Sequence, residues 1–316
     1  MKNWLSEILC CPSCRTHPVP RISHAPPGGG PEPPLVFTCG HSFPVAHGIP
    51  RFVTSDEYVR SFGFEWSIHR TTQFDANTGG ASTRRFMDVT GFHPDELKER
   101  LVLDAGVGTG RFADVVARAG ARVVGIDLSL AIEVAHENLG TLDNVGLLQT
   151  DLLSAPLRPG SFDFIYSIGV LHHTPDAERA FRSLLPLLKP GGWIAIYVYP
   201  RYGITWRVSD LYRRLTTRLP HRLLYLLSYI AAPLYYLNRV PLLGALTTVL
   251  LPISNHPNWH WRVLDTFDWY SPRYQSKHTY PEVFRWFRAA GLVEVEPMDP
   301  AVCVRGRKPA AGKASE

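Results

Sequence analysis

Residues 101–112 read LVLDAGVGTGRF, with glycines at the alternate positions 106, 108 and 110 behind an apolar run that reads as a buried strand. Glycine reaches positive φ and carries no side chain, so the run suits a tight strand-to-helix turn whose main chain a ligand can touch. The spacing is GxGxG and not the GxGxxG of dinucleotide folds. Carboxylates close three successive strand-like runs: Asp104 in RLVLDA, Asp127 in ARVVGID and Asp151 in GLLQTD. An acid at the second strand end can accept both hydroxyls of a ribose, and one at the third can accept from an exocyclic amine. Glycines 106, 108 and 110 with these three acids point to a nucleoside ligand. Beyond the fourth strand, VLHHTPD presents His172 and His173, and an imidazole titrating near neutral pH is a candidate base. One histidine of the pair could instead orient the loop through backbone or Asp176.

A second chemical set lies near the N-terminus. Four of the five cysteines fall at 10, 11, 14 and 39, and Cys303 stands alone. Cys11, Cys14, Cys39 and His41 supply three thiolates and one imidazole, which suits tetrahedral zinc. The Cys39-x-His41 spacing is cramped, which leaves Cys10 or His47 as stand-ins, and a metal-free module with buried thiols as the alternative.

These residues need elements to position them. RLVLDA, ARVVGID, GLLQTD, FDFIYSI and WIAIYVY read as strands, separated by the helices RFADVVARAG, LAIEVAHENLG and PDAERAFRSLLPLLKPGG, the last stopping at its glycines. Such alternation is the signature of a parallel sheet covered on both faces. After a long interruption, YPEVFRWFRAAG adds a helix, and LVEVEPM and AVCVRGRK add strands. The expected fold is α/β: a doubly wound, mostly parallel, seven-stranded Rossmann-like sheet with a small N-terminal β module and a helical insertion. Residues 1–53 form the module, 54–100 a helical lead-in or lid, 101–200 the ligand-binding core, 201–275 a helical cap, 276–308 the last part of the sheet and 309–316 a disordered tail. Within the lead-in, ASTRRFMDVTGF and HPDELKER both read as helical, and within the module HAPPGGGPEPP reads as a flexible loop.

The glycine turn, VVGIDLS, LLQTDLLSAPLRPGSFDFIYSIGVLHHTPD and LLKPGGW together resemble the class I S-adenosylmethionine-dependent methyltransferases, particularly their small-molecule and quinone-type group (methyltransferase type 11-like). The likeness covers 100–200 closely and 279–307 loosely. It implies that Gly106, Gly108 and Gly110 surround the methionine part of S-adenosylmethionine, with Asp104 supporting its ammonium. It places Asp127 with Leu128 at the ribose, Asp151 and Leu152 at the adenine, Ile168 beside the sulfonium and Gln73 among the cofactor contacts. Related O-methyltransferases use a histidine from the loop that here holds His172 and His173. The N-terminal module resembles the Trm112-like zinc ribbons, which implies a structural zinc.

The acceptor should be chosen by residues 201–275, since insertions above strand ends shape such pockets. DTFDWYSPRYQSKHTYPEV carries Asp268, Trp269, Tyr270, Tyr274, Gln275 and His278, a polar and aromatic cluster expected to border the acceptor. The apolar pieces of the insertion are too short and too broken by proline to span a membrane. They form either a hood over the site or, with Arg213, Arg214, Arg218 and Arg222, a surface resting on anionic lipid. With 45% hydrophobic and 19% charged residues and no secretory signal, the chain reads as a cytoplasmic globular protein. A net charge of +5 spread without a basic block argues against a nucleic-acid partner. The expected activity is methyl transfer, oxygen favoured, to a small-molecule or lipid-linked acceptor. RNA methylation and a non-catalytic cofactor-binding scaffold are the alternatives.

Overall fold

The computed structural model describes residues 1–19, 32–53 and 59–310. Most of the loop expected at 24–34 and of the tail expected at 309–316 lies outside them. The N-terminal unit consists of α1 (Asn3–Ser6) and two ribbons, β1 (Leu35–Val36) with β2 (Ser42–Phe43) and β3 (Val45–Ala46) with β4 (Ile49–Pro50). Strands this short bury too little to fold alone. Their stability comes from docking: Leu5, Leu9, Leu35 and Phe37 are fully buried in one apolar cluster with Leu103, Leu148 and Leu157 of the main fold. Main-chain bonds sew the seam, Cys10 N donating to Pro156 O and Phe52 N to Gln149 O.

The lead-in folds as α2 (Arg60–Ile68), α3 (Asp75–Thr78) and α4 (Ala81–Thr90). HPDELKER, expected to be helical, forms only a 3₁₀ turn over Pro94–Leu97. His93 and Glu96 cap both ends of its first bonds, and the chain leaves at once for the sheet.

The sheet contains β5 (Leu101–Ala105), β6 (Arg122–Asp127), β7 (Val145–Gln149), β8 (Phe162–Ile168), β9 (Leu188–Tyr197), β10 (Val293–Met298) and β11 (Cys303–Arg307), in the order β10-β11-β9-β8-β5-β6-β7. The five strands from β5 to β9 run parallel, and β11 and β10 are antiparallel additions. Every residue of β5 and β7 is buried, which is why these runs are apolar on both faces up to Asp104 and Gln149 near their carboxyl ends. Winding proceeds from β5 through β6 to β7 and then returns to β8 on the other side. The reversal between β5 and β8 opens a crevice at their carboxyl ends.

Helices α5 (Arg111–Arg118), α6 (Ala131–Leu139) and α7 (Ala177–Leu184) make the crossovers. The expected helix over 175–192 is shorter: α7 ends at Leu184 and β9 begins at Leu188. Pro186 cannot donate to a continuing helix, so the chain tightens into a 3₁₀ turn over Leu185–Leu187. Gly191 and Gly192 then lie inside β9, at a register shift opposite β8, and do not stop a helix.

The insertion folds as α8 (Thr205–Thr216), α9 (His221–Ser228), α10 (Ala231–Leu237), α11 (Leu243–Leu250) and α12 (Trp259–Tyr270), before α13 (Tyr280–Ala289) returns to the sheet. Pro220 stands before α9, Pro241 before α11 and Pro257 before α12, so each helix is short. Asn258 caps α12 by accepting from His260 N and Trp261 N. Arg213 of α8, 7% exposed, ties the cap together by donating to the carbonyls of Trp269 and Pro272. Among the described residues no helix is long and apolar enough to cross a membrane.

Candidate active site

The glycine turn leaves β5 at the switch point. Gly106, Gly108 and Gly110 all have positive φ, +99°, +52° and +91°. Their bareness has different causes. A Cβ on Gly106 would stand 2.3 Å from Val170 Cγ2, and one on Gly110 would stand 2.4 Å from Leu139 Cδ1, so both are bare because protein packs against them. A Cβ on Gly108 would meet nothing closer than Trp66 Nε1, at 3.6 Å. Gly108 and Gly106 face a cavity of about 630 Å³, whereas Gly110 does not line it and instead begins α5.

Asp127 anchors this turn. Its Oδ2 accepts from Gly108 N at 2.9 Å, and its Oδ1 accepts from Ser129 N and Ser129 Oγ at 2.8 and 2.7 Å. Burial pushes its carboxyl above the usual range and these bonds oppose the shift. Asp127, Leu128, Asp151, Leu152, Ile168 and Gln73 all line the cavity. Asp151 also caps a 3₁₀ turn by accepting from Leu153 N. Gln73 is 5% exposed and its Oε1 has no partner.

Asp104 is a correction to the expected wall. It sits behind the turn, 2% exposed, accepting from Tyr166 Oη at 2.9 Å, and burial raises its carboxyl to about 7.

The two histidines also separate. His173 lines the cavity, with Nδ1 3.0 Å from the Tyr274 carbonyl and Nε2 3.9 Å from Asp268 Oδ1. A carbonyl only accepts, so Nδ1 carries the proton of the neutral ring and Nε2 keeps a lone pair. Burial lowers the imidazole's affinity for a second proton, against the pull of Asp268. His172 lies away from the cavity wall, fully buried, stacked on Tyr199 at 3.9 Å with neither ring nitrogen partnered. It supports the loop by packing.

Helices α2, α4 and α12 close the far side. Glu65 of α2 is fully buried and both its carboxylate oxygens lack a partner. Asp265 and Asp268 of α12 line the same compartment, the former accepting from Ser254 Oγ and the latter from Tyr199 Oη. Burial, then the charges of Asp268 and Asp265, push the Glu65 carboxyl well above the carboxylate range. Burial raises Asp265 to about 7. Arg85 and Arg111 also line the cavity, Arg85 lying 4.5 Å over the Tyr197 ring and Arg111 brought down to about 10 by burial and by Arg85.

Of the aromatic cluster expected at the acceptor, Trp269 lines the cavity and three others do not. Tyr270 points the other way along α12, its hydroxyl donating to Pro252 O. Tyr274 contributes its carbonyl to His173 through the main chain. His278 is held between Glu282 and Ser276, 2.8 Å from each, against Trp286. Wall residues not singled out in the sequence include Glu65, Arg85, Arg111 and Asp265. A signal existed for part of this set: Trp261, Asp265, Asp268 and Trp269 fall at i, i+4, i+7 and i+8, one helical face in which acids replace apolar residues.

At the N-terminus Cys11, Cys14, Cys39 and His41 converge, their ligand atoms all within 4.8 Å of one another. His41 Nδ1 stands 3.3, 3.6 and 3.6 Å from the three sulfurs. A tetrahedron with typical zinc–sulfur and zinc–nitrogen lengths has nitrogen–sulfur edges of about 3.6 Å. The donor set therefore fits zinc, and the tight Cys39-x-His41 spacing is no obstacle. Cys10, approached by Arg15, and His47, paired with Glu133, are engaged elsewhere.

Residues 103–196 match a family model described as a methyltransferase domain. Over 98 residues the chain is 41% identical to a ubiquinone biosynthesis O-methyltransferase of Albidiferax ferrireducens, covering 29% of this chain and 38% of that protein. It is 38% identical over 109 residues to phosphoethanolamine N-methyltransferase 2 of Caenorhabditis elegans, covering 32% of this chain and 24% of that protein. Against a tRNA U34 carboxymethyltransferase of Ruthia magnifica it is 35% identical over 105 residues, covering 32% of this chain and 33% of that protein. The chain thus spans less than half the length of these curated relatives, and the family match at 103–196 takes in the glycine turn.

Proposed function

We propose that the protein is an S-adenosylmethionine-dependent methyltransferase acting on the oxygen of a hydroxylated small-molecule or lipid-linked acceptor. The observation that carries this reading is one continuous cavity joining Gly106, Gly108, Asp127 and Asp151 at the strand ends to His173 and three carboxylates under the cap. S-adenosylmethionine, when bound, supplies a methyl group activated on a sulfonium. Asp127 would hold the ribose hydroxyls, Asp151 and Leu152 the adenine, and Gln73, with its open carbonyl oxygen, a donor of the same molecule. His173, neutral and fixed by Tyr274, offers Nε2 to take a proton from the acceptor hydroxyl as that oxygen becomes a nucleophile. Much of the rate would come from holding the acceptor in line, a task for Trp269, Tyr199 and the acidic wall.

Beyond the strand ends the wall carries Glu65, Asp88, Asp265 and Asp268 beside Arg84, Arg85 and Arg111, a mixed polar lining that suits an acceptor with several hydroxyl groups. No described residue of 1–53 lines the cavity; in this reading the N-terminal unit serves structure, with Cys11, Cys14, Cys39 and His41 holding zinc.

The activity is tested by calorimetry with S-adenosylhomocysteine, followed by transfer of a labelled methyl group to a panel of hydroxylated compounds and to total RNA. Binding with label in the hydroxylated fraction is expected. No binding would remove the enzyme reading, and label in RNA alone would replace the acceptor. Elemental analysis should find zinc near one equivalent per chain in the purified protein and well below that after Cys11→Ser.

A further inference from the structure

Among the described residues, 18 of the 24 exposed large apolar side chains lie between Tyr202 and Leu251, on α8 to α11 and their connections. A water-soluble surface of this size ordinarily scatters such residues singly. Here Leu215, Leu226, Leu242 and Tyr236 are each more than half exposed, and Leu242, at the tip before α11, is 91% exposed. The helices are short and the face is not one that a membrane-spanning segment would present.

Charge on the same segment has one sign. Arg207, Arg214, Arg218, Arg222 and Arg239 are exposed, while Asp210, the sole acid between 202 and 251, is engaged by Lys277 and Arg213. Exposed hydrocarbon bordered by unneutralised guanidinium groups is the composition of a surface that sits at an anionic lipid interface.

A cleft of about 150 Å³ opens within this patch, between α12 and the outer helices. Tyr212, Leu227, Ile230 and Leu251 belong both to its wall and to the exposed set. Every hydroxyl lining it is spent on a backbone carbonyl: Tyr212 on Leu250, Thr216 on Tyr270, Ser228 on Leu224, Thr266 on Arg262 and Tyr270 on Pro252. What remains facing the cleft is hydrocarbon, suited to an acyl or prenyl chain and not to a polar ligand. The opposite face of α12 carries Asp265 and Asp268 into the main cavity, so one helix separates the lipid-facing cleft from the catalytic compartment.

We propose that α8 to α11 form a peripheral docking surface for anionic lipid bilayers. The idea deepens the acceptor half of the proposed function toward lipid-linked molecules, and it is tested without turnover. The full-length protein is sedimented with vesicles of phosphatidylcholine alone and of phosphatidylcholine mixed with phosphatidylglycerol. Binding to the mixed vesicles, weakened by salt, is expected, with little binding to the neutral ones. The double variant Leu226→Glu/Leu242→Glu should lose vesicle affinity by at least about tenfold and keep its affinity for S-adenosylhomocysteine, since neither residue touches the main cavity. Wild-type protein that stays in solution with both vesicle types, or a double variant that binds like wild type, would overturn the proposal. So would a wild-type dimer in sedimentation velocity that the same double variant dissociates, because the patch would then be covered by a second copy. Vesicle binding without cofactor binding would uphold the surface while removing the enzyme reading, which keeps the two separable.

Discussion

The two halves of the cavity are built on different principles. At the strand ends the wall is largely main chain: a glycine turn, pinned by Asp127 to Gly108 N, with a second carboxylate one strand further along. Under the cap the wall is side chain, with Glu65, Asp265, Asp268, Arg85, Arg111 and Trp269 drawn from helices far apart in sequence. The first half is rigid because its hydrogen bonds are satisfied before any ligand arrives. The second holds one fully buried carboxylate, Glu65, with no donor, beside Asp265 and Asp268, an arrangement that costs stability and is retained at binding sites. Under the proposed function, the first half would recognise the cofactor and the second would choose the acceptor.

The largest effect should come where the halves meet. His173→Asn should lower kcat by about a hundredfold or more with cofactor affinity unchanged, whereas His172→Leu should retain turnover within about an order of magnitude. Single-turnover methyl transfer with any acceptor found in the panel measures both, and equal losses would remove the distinction between lining and supporting histidine.

Breaking the first half is read by cofactor binding. Asp127→Ala should weaken S-adenosylhomocysteine by about a hundredfold, the worth of charge-assisted hydrogen bonds, because it loses a ligand contact and also frees the glycine turn. Calorimetry giving wild-type affinity would show that Asp127 serves the turn alone.

Gly110→Ala tests the claim that one of the three glycines answers to packing. It places a Cβ at φ +91° against Leu139, so chemical denaturation should show a loss of about 2–3 kcal/mol. The folded fraction should still bind cofactor.

The smallest effect concerns pH. Asp265 titrates at about 7 in the folded protein and at an ordinary 3.8 otherwise, so between these values the folded state keeps a proton that the unfolded chain has released. Stability therefore falls as pH rises through that window and levels off above it. The Asp265 side chain is part-exposed, and solvent screens some of the shift; Asp265→Asn should therefore make the fall shallower by about 1–2 kcal/mol but not abolish it, since Glu65 and Asp104 shift in the same direction. Thermal melts across this range that are superimposable for the two proteins would place Asp265 in water.

Residue types and spacing were enough to read the sheet, the turn and the Cys/His cluster. Buried parallel strands are mostly apolar, a positive-φ turn favours glycine, and Cys11, Cys14, Cys39 and His41 carry donor chemistry in their residue types. The sequence misplaced the end of α7 because a Lys-Pro-Gly-Gly run suits a bulged strand as well as a helix stop. Chain packing settles which histidine faces the cavity, that Asp104, Tyr270, Tyr274 and His278 do not, and that Glu65 shares a compartment with Asp265 and Asp268. Those outcomes depend on how α2, α4 and α12 cross above the strand ends. Helix crossing is set by packing between segments some 200 residues apart, roughly the separation of α2 from α12, and no local spacing rule encodes it.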